Sequence, residues 1–233
     1  MKNKGILLIG FVLLSMTMSG QDNNLVTVKA GTKINDYFTQ SEQYRYPEFT
    51  QGKVAFRNGT SIVTRLNYSI LVGEMQFLTE KDTMAIDNER DIRYVQIMKD
   101  TFYYDNGYLE VVAGHDPAIM TVKRYVKISD IKKEGPMGTR SSTSNAQAYG
   151  GIYDQGALRN HNLVLQEDLV LSKNQDYYIG NSAGGFLPYK MNNVLKLFPN
   201  NKTAIQDFLK KQKTDFKVKD DLIRLTEFLQ GLK

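Results

Sequence analysis

Lys53-Val54-Ala55-Phe56-Arg57-Asn58-Gly59-Thr60-Ser61-Ile62-Val63-Thr64-Arg65-Leu66-Asn67-Tyr68-Ser69-Ile70 is the stretch that decides the fold of this chain. Val54 and Phe56 alternate with polar neighbours, and Ile62, Thr64, Leu66 and Tyr68 continue at period two. A period of two marks a strand with one buried face. Asn58-Gly59 sits between the two runs, and this pair accepts the positive φ angles of a type I′ turn. The expectation is a β-hairpin.

The same pattern spreads in both directions, so residues 25 to 129 read as β. Glu74 to Leu78 and Thr83 to Ile86 form a second pair across the polar turn Glu80-Lys81-Asp82. Ile92, Tyr94, Val95 and Ile97 begin a third group. Thr101 to Tyr104 and Tyr108 to Val112 flank Asp105-Asn106-Gly107, another hairpin, and Ile119 to Ile128 adds one long strand. Short strands at this spacing, without helical periods between them, indicate an antiparallel meander that closes into a roll, barrel or sandwich.

Residues 132–160 break the pattern with Gly-Pro-Met-Gly, Ser-Ser-Thr-Ser and Tyr-Gly-Gly, and read as a flexible linker or loop. Leu163 to Leu171 and Asp176 to Ile179 read as two more strands. The period then becomes helical. Val194, Leu195 and Phe198 begin it, Pro199-Asn200-Asn201 interrupts it, and Ile205, Phe208 and Leu209 share a face. Leu222, Leu225, Phe228 and Leu229 form another stripe, with Asp220 and Asp221 in the first turn and Gly231 at the end. The expected class is α+β: a β-rich part over residues 21–131, the linker, and residues 161–233 with two strands and C-terminal helices.

The leading residues read as a signal peptide over 1–20. Lys2 and Lys4 precede the apolar run Gly5 to Met16, and Ser19, Gly20 and Gln21 follow. The run is short of the roughly 20 apolar residues a membrane span needs. Cleavage is expected after Gly20 or Ser19, leaving no membrane span. The net charge of +5 then falls by two, to +3, because Lys2 and Lys4 leave without an acid. With no cysteine in the chain, disulfides, thiol catalysis and thiolate metal sites are excluded. Export and a mild, spread charge argue against nucleic acid as a partner.

The segment Gly52 to Gly59, continued by Leu66-Asn67-Tyr68 and Gly73 to Leu78, resembles exported proteins of Bacteroidota that carry no assigned activity. Leu195 to Pro199, Ile205, Phe208 to Lys210 and Asp215-Phe216 are similar to the tail of the same kind of protein. The resemblance covers about half the chain. It implies a cell-envelope or secreted setting and a two-part build, and it brings no catalytic residues.

Gly180-Asn181-Ser182-Ala183-Gly184 matches the G-x-S-x-G nucleophile elbow and makes Ser182 the candidate catalytic residue of an alternative serine hydrolase. His115 and His161 are the only histidines and both precede Ser182, so the order Ser, Asp, His is impossible, and no amphipathic helix opens there. A Gly-rich loop is the better reading. The two histidines lack metal-ligand spacing, and the acids from Glu80 to Asp91 lack the alternation of a calcium loop. No metal or other cofactor is expected.

Fourteen tyrosines and no tryptophan make tyrosine the main aromatic surface candidate. Tyr103, Tyr104 and Tyr108 cluster on one hairpin and are the candidate binding residues, although tyrosine also serves cross-strand packing. Asp82-Thr83-Met84 fits a short O-glycosylation pattern of exported Bacteroidota proteins, which makes Thr83 a candidate modification site by that resemblance. The functional expectation is a non-catalytic exported envelope protein, periplasmic or associated with the outer membrane, with an extracellular location as the alternative. It would bind or help assemble an envelope or outer-membrane partner. A small-ligand carrier inside a β-barrel is the other alternative.

Overall fold

A computed structural model describes residues 25–80, 82–134, 140–142, 164–183 and 185–232. The expected signal peptide, most of the expected linker, and His161 lie outside the described residues.

The central hairpin joins β2 (Thr50–Phe56) to β3 (Ser61–Ser69), with Val54 opposite Ile62. Its turn differs from the expected type I′. Gly59 has φ +88°, whereas Asn58 is not among the positive-φ residues. The Asn58 carboxamide oxygen instead accepts from the Thr60 N–H (2.9 Å) and hydroxyl (2.7 Å). That Asx-type bond lengthens the loop to three residues, and Gly59 alone takes the left-handed position.

β4 (Glu74–Leu78) and the short edge strand β5 (Thr83–Ala85) continue on one side. On the other side β2 pairs with β6 (Ile92–Ile97), then β7 (Asp100–Tyr104), β8 (Tyr108–His115) and β9 (Ala118–Glu134) follow. β10 (Arg140–Ser142) folds back on β9. β11 (Asp168–Gly180) lies along β9, and the far side of β11 carries β1 (Leu25–Val28) and β12 (Leu187–Pro188). Among the described residues every pairing between strands is antiparallel, and the strands form one sheet in the order β1-β11-β9-β8-β7-β6-β2-β3-β4-β5.

The sheet curls. The Tyr68 hydroxyl on β3 donates to the Arg124 carbonyl on β9 (2.7 Å), although four strands separate them in the sheet order. Its ring also meets Phe102 at 5.8 Å and Tyr108 at 6.1 Å. The end strands β5 and β1 are not paired, so of roll, barrel and sandwich the structure is an open roll. Its concave side is filled by Val54, Leu66, Tyr68, Met75, Val95, Phe102 and Tyr108. Each such side chain contributes roughly 1.5–3 kcal/mol by leaving water.

Two elements depart from the expectations. Residues 25–49 contain the one-turn helices α1 (Ile34–Tyr37) and α2 (Gln40–Gln43). Glu42 accepts from the Thr39 N–H (2.9 Å), part of a capping box that is legible as Thr39-x-x-Glu42. Leu163 to Leu171 and Asp176 to Ile179 are not separate strands, because Ser172 to Gln175 continue β11 without a break. Polar residues are tolerated there because Lys173 and Gln175 are exposed.

The C-terminal helices are α3 (Met191–Leu197), α4 (Lys202–Gln212) and α5 (Lys219–Gln230), with a 3₁₀ turn at Pro199–Asn201. Leu222, Leu225 and Leu229 of α5 are fully buried against Ala118, Met120 and Ile179 of the sheet. Phe208 stacks on Phe228 at 4.2 Å, which ties α4 to α5. The strands on either side of the expected linker are therefore neighbours in one sheet, with α5 packed on β8 and β9. No helix of the described residues is long and apolar enough to cross a membrane.

Candidate functional site

The candidate site is a cleft of about 510 Å³ at the rim of the roll. It opens where the β3–β4 turn (Gly73, Glu74) and the tip of the β7–β8 hairpin face β9 and β11. The hairpin tip is shaped by Asn106 (φ +52°) and Gly107 (φ +121°). The Lys123 ammonium on β9 donates to the Asn106 carbonyl (2.7 Å), which pins the tip to β9.

Tyr104, Tyr125 and Tyr178 give the cleft its aromatic surface, and Glu74, Glu89 and Asp176 its negative charge. The Tyr125 hydroxyl donates to the Asp176 carboxylate (2.9 Å). Partial burial, together with that carboxylate, pushes the Tyr125 phenol up to about 12, so it remains a neutral donor across the physiological range. Apolar ring faces bordered by carboxylates suit a polar or cationic group presented by a partner.

Of the three tyrosines read from the sequence, only Tyr104 lines this cleft. Tyr108 is 2% exposed and belongs to the core, where burial raises its phenol well above the usual range. Tyr103 lies 5.4 Å from Phe186, in the same apolar cluster as Tyr178, and does not line the cleft. Alternation along β7 forces neighbouring side chains to opposite faces, so adjacent tyrosines cannot form one platform. Tyr125 and Tyr178 were missed because their strands pair with the hairpin only through tertiary contacts.

A cluster of charges lies outside the cleft lining. Glu110 on β8 accepts two bonds from Arg45 (2.9 and 3.0 Å) and another from Arg124. Arg45 also lies 3.7 Å from Asp100, which accepts the Tyr46 hydroxyl at 2.8 Å. The Glu110 side chain is only 8% exposed. A carboxylate this buried is tolerable because two guanidinium groups and their donors replace its water. Each member faces another within the protein, so the cluster joins the segment that follows α2 to β7, β8 and β9 and presents no vacant charge to a ligand.

Ser182 lies in the loop between β11 and β12. Its N–H donates to the Asp116 carboxylate (2.7 Å) and its hydroxyl donates to the other carboxylate oxygen. These two bonds, hydroxyl first, hold the Asp116 carboxyl below the ordinary aspartate range. His115 turns Nδ1 toward the Asp116 carbonyl (2.8 Å), and no hydrogen bond joins its ring to Ser182. The serine therefore clamps the β8–β9 turn to the β11–β12 loop. An elbow needs a strand-to-helix turn, whereas the strand β12 follows here.

Thr83 begins the edge strand β5 and is half-buried, its N–H donating to Asp82 (2.7 Å). No group of three or more metal-ligating side chains converges among the described residues. A second, apolar cleft of about 170 Å³ lies between Phe56, Ile62 and Phe77. The roll interior is otherwise occupied by its own side chains.

Comparison with known proteins finds no matching family, no matching curated protein and no matching solved structure. The chemistry of these surfaces is therefore read from their own residues.

Proposed function

We propose that this protein is a non-catalytic accessory of the cell envelope that recognises a partner protein through the rim cleft. The observation that carries the reading is the composition of that cleft: three tyrosines beside three carboxylates, without a nucleophile held by a base. Such surfaces bind through ring faces and hydrogen bonds rather than through bond making. The basic start and short apolar run of residues 1–20 support export, and the resemblance to exported Bacteroidota proteins supports the envelope setting. The filled interior of the roll disfavours a carrier with an internal ligand cavity.

The test is mild crosslinking and affinity capture from the native envelope, comparing wild type with Tyr104→Ala and Tyr125→Ala. A stoichiometric envelope protein recovered by the wild type and depleted at least tenfold with the variants supports the reading. Equal recovery by all three overturns the cleft as the recognition surface. The serine alternative has its own test. Labelling of wild type but not Ser182→Ala by a fluorophosphonate probe would make the protein a hydrolase.

A further inference from the structure

The rim cleft does not end at Tyr104. A further cleft of about 400 Å³ adjoins it, lined by Arg57, Arg90, Tyr104, Asp105 and Asn106. Tyr104 and Asn106 line both hollows, so the hairpin tip is their common wall. That wall is held from two directions. Lys123 donates to the Asn106 carbonyl (2.7 Å), and the Phe186 N–H donates to the Asp105 carboxylate (2.8 Å).

The two hollows differ in charge. Glu74, Glu89 and Asp176 outnumber Lys123 in the first, and Arg57 and Arg90 outnumber Asp105 in the second. Several of these groups are already committed. Lys123 and Asp105 hold the hairpin tip, Asp176 accepts the Tyr125 hydroxyl, and Glu74 and Tyr104 make other contacts within the protein. Recognition therefore falls on Glu89, Arg57 and Arg90. Among the described residues no ion pair engages any of these three. Arg57 donates its Nε to the Arg90 carbonyl (3.1 Å), which leaves the other donors of its guanidinium for a ligand.

One short turn serves both hollows. Glu89 and Arg90 are neighbours in the 3₁₀ turn Glu89–Asp91, which Asn88 opens with φ +55°. At three residues per turn, successive side chains point about 120° apart. Glu89 thus enters the first hollow and Arg90 the second, instead of neutralising each other.

We propose that the two hollows together receive one extended segment of the partner protein, carrying a basic and an acidic side chain on the same face. The basic group lies beside Glu89, the acidic group beside Arg57 and Arg90, and the chain between them crosses the Tyr104 ring. In an extended chain, residues two apart share a face and lie about 7 Å from one another, so one intervening residue spans the ring. Exposed charges contribute little singly, so the paired arrangement selects a partner more than it tightens the grip. This deepens the accessory reading by naming the chemistry that the rim cleft recognises, and it rests on that reading.

The test uses the purified protein at low ionic strength and blocked peptides of equal length on a glycine–alanine background. One carries lysine and glutamate two positions apart, and its counterparts carry two lysines or two glutamates. The expected result is saturable binding of the mixed peptide, at least fivefold tighter than either counterpart. Arg90→Glu should weaken the mixed peptide at least fivefold and bind the two-lysine peptide more tightly than the wild type does. Glu89→Lys should weaken it equally and gain affinity for the two-glutamate peptide. Neither residue is in an ion pair among the described residues, so both variants should keep the wild-type thermal midpoint. Should a variant unfold, the three peptides on the wild type decide by themselves. Three results overturn the proposal: no saturable binding of the mixed peptide at millimolar concentration, equal binding of either counterpart, or a preference that charge reversal leaves unmoved. Envelope capture that depends on Tyr104 and Tyr125 would stand in each of these cases, so the two readings fail separately.

Discussion

The curl of β2 to β8 and the ribbon of β9, β11 and β1 are built from the same kind of strand, yet they bury their faces differently. The curl covers itself: Tyr68, Phe102 and Tyr108 from three of its strands meet across the concave side. The ribbon cannot close on itself, so α5 supplies the cover through Leu222, Leu225 and Leu229 at one end, and α1 supplies Ile34 at the other. Self-coverage demands large side chains that reach across a gap, and here they are aromatic. Coverage by a helix needs only a leucine stripe.

The largest expected effects compare the two covers directly. Phe102→Ala empties a fully buried site in the curl and should lose about 4 kcal/mol in urea unfolding. Leu225→Ala under α5 should lose about 3 kcal/mol. Both should shift one common transition, because β8 of the curl is paired directly with β9 of the ribbon. Two separate transitions, with each variant moving only one, would break the picture of a single cooperative unit.

Glu110→Gln comes next, with about 2–3 kcal/mol lost, because Arg45 and Arg124 would then face a neutral amide in a mostly buried setting. Their partial exposure keeps the effect below that of a fully buried pair. A loss below about 0.5 kcal/mol would show that the cluster is solvated. Gly52→Ala should lose roughly 1–3 kcal/mol, since a Cβ there would lie 2.7 Å from the Gln96 carbonyl oxygen and 2.9 Å from Leu66. Normal stability of that variant would mean that β2 and β6 are looser than their register indicates.

The smallest effect concerns the clamp between the β8–β9 turn and the β11–β12 loop. Asp116 is exposed, so screening holds the loss in Asp116→Asn below about 1 kcal/mol. Its carboxyl titrates below the ordinary value, so the ionised form is the stabilising one. The difference between wild type and variant should be full at pH 7 and shrink as the pH falls below about 4. A difference independent of pH would show that the Ser182 bonds do not hold the charge.

Much of the curl was legible in advance. Period two placed β2, β3, β4 and β7, and Asn-Gly marked two of the turns. The β6–β7 turn was not legible, because Met98 takes φ +54° without glycine or asparagine at that position. The capping box Thr39-x-x-Glu42 carries the mark of α2 in the sequence. The site was less legible. Tyr104 was named from its hairpin, but its partners Tyr125, Tyr178 and Glu74 come from three other strands. Which face of β7 carries Tyr103 and which Tyr104 follows from alternation, but which face is the concave one does not.

Local chemistry therefore determined the elements by itself: side-chain period, turn residues and helix stripes act within a few residues of one another. The open roll, the buried position of Glu110 and the rim cleft were decided only by tertiary structure. Each depends on which distant strand lies alongside, and that is settled by long-range burial across the curl, to which no single segment holds the information.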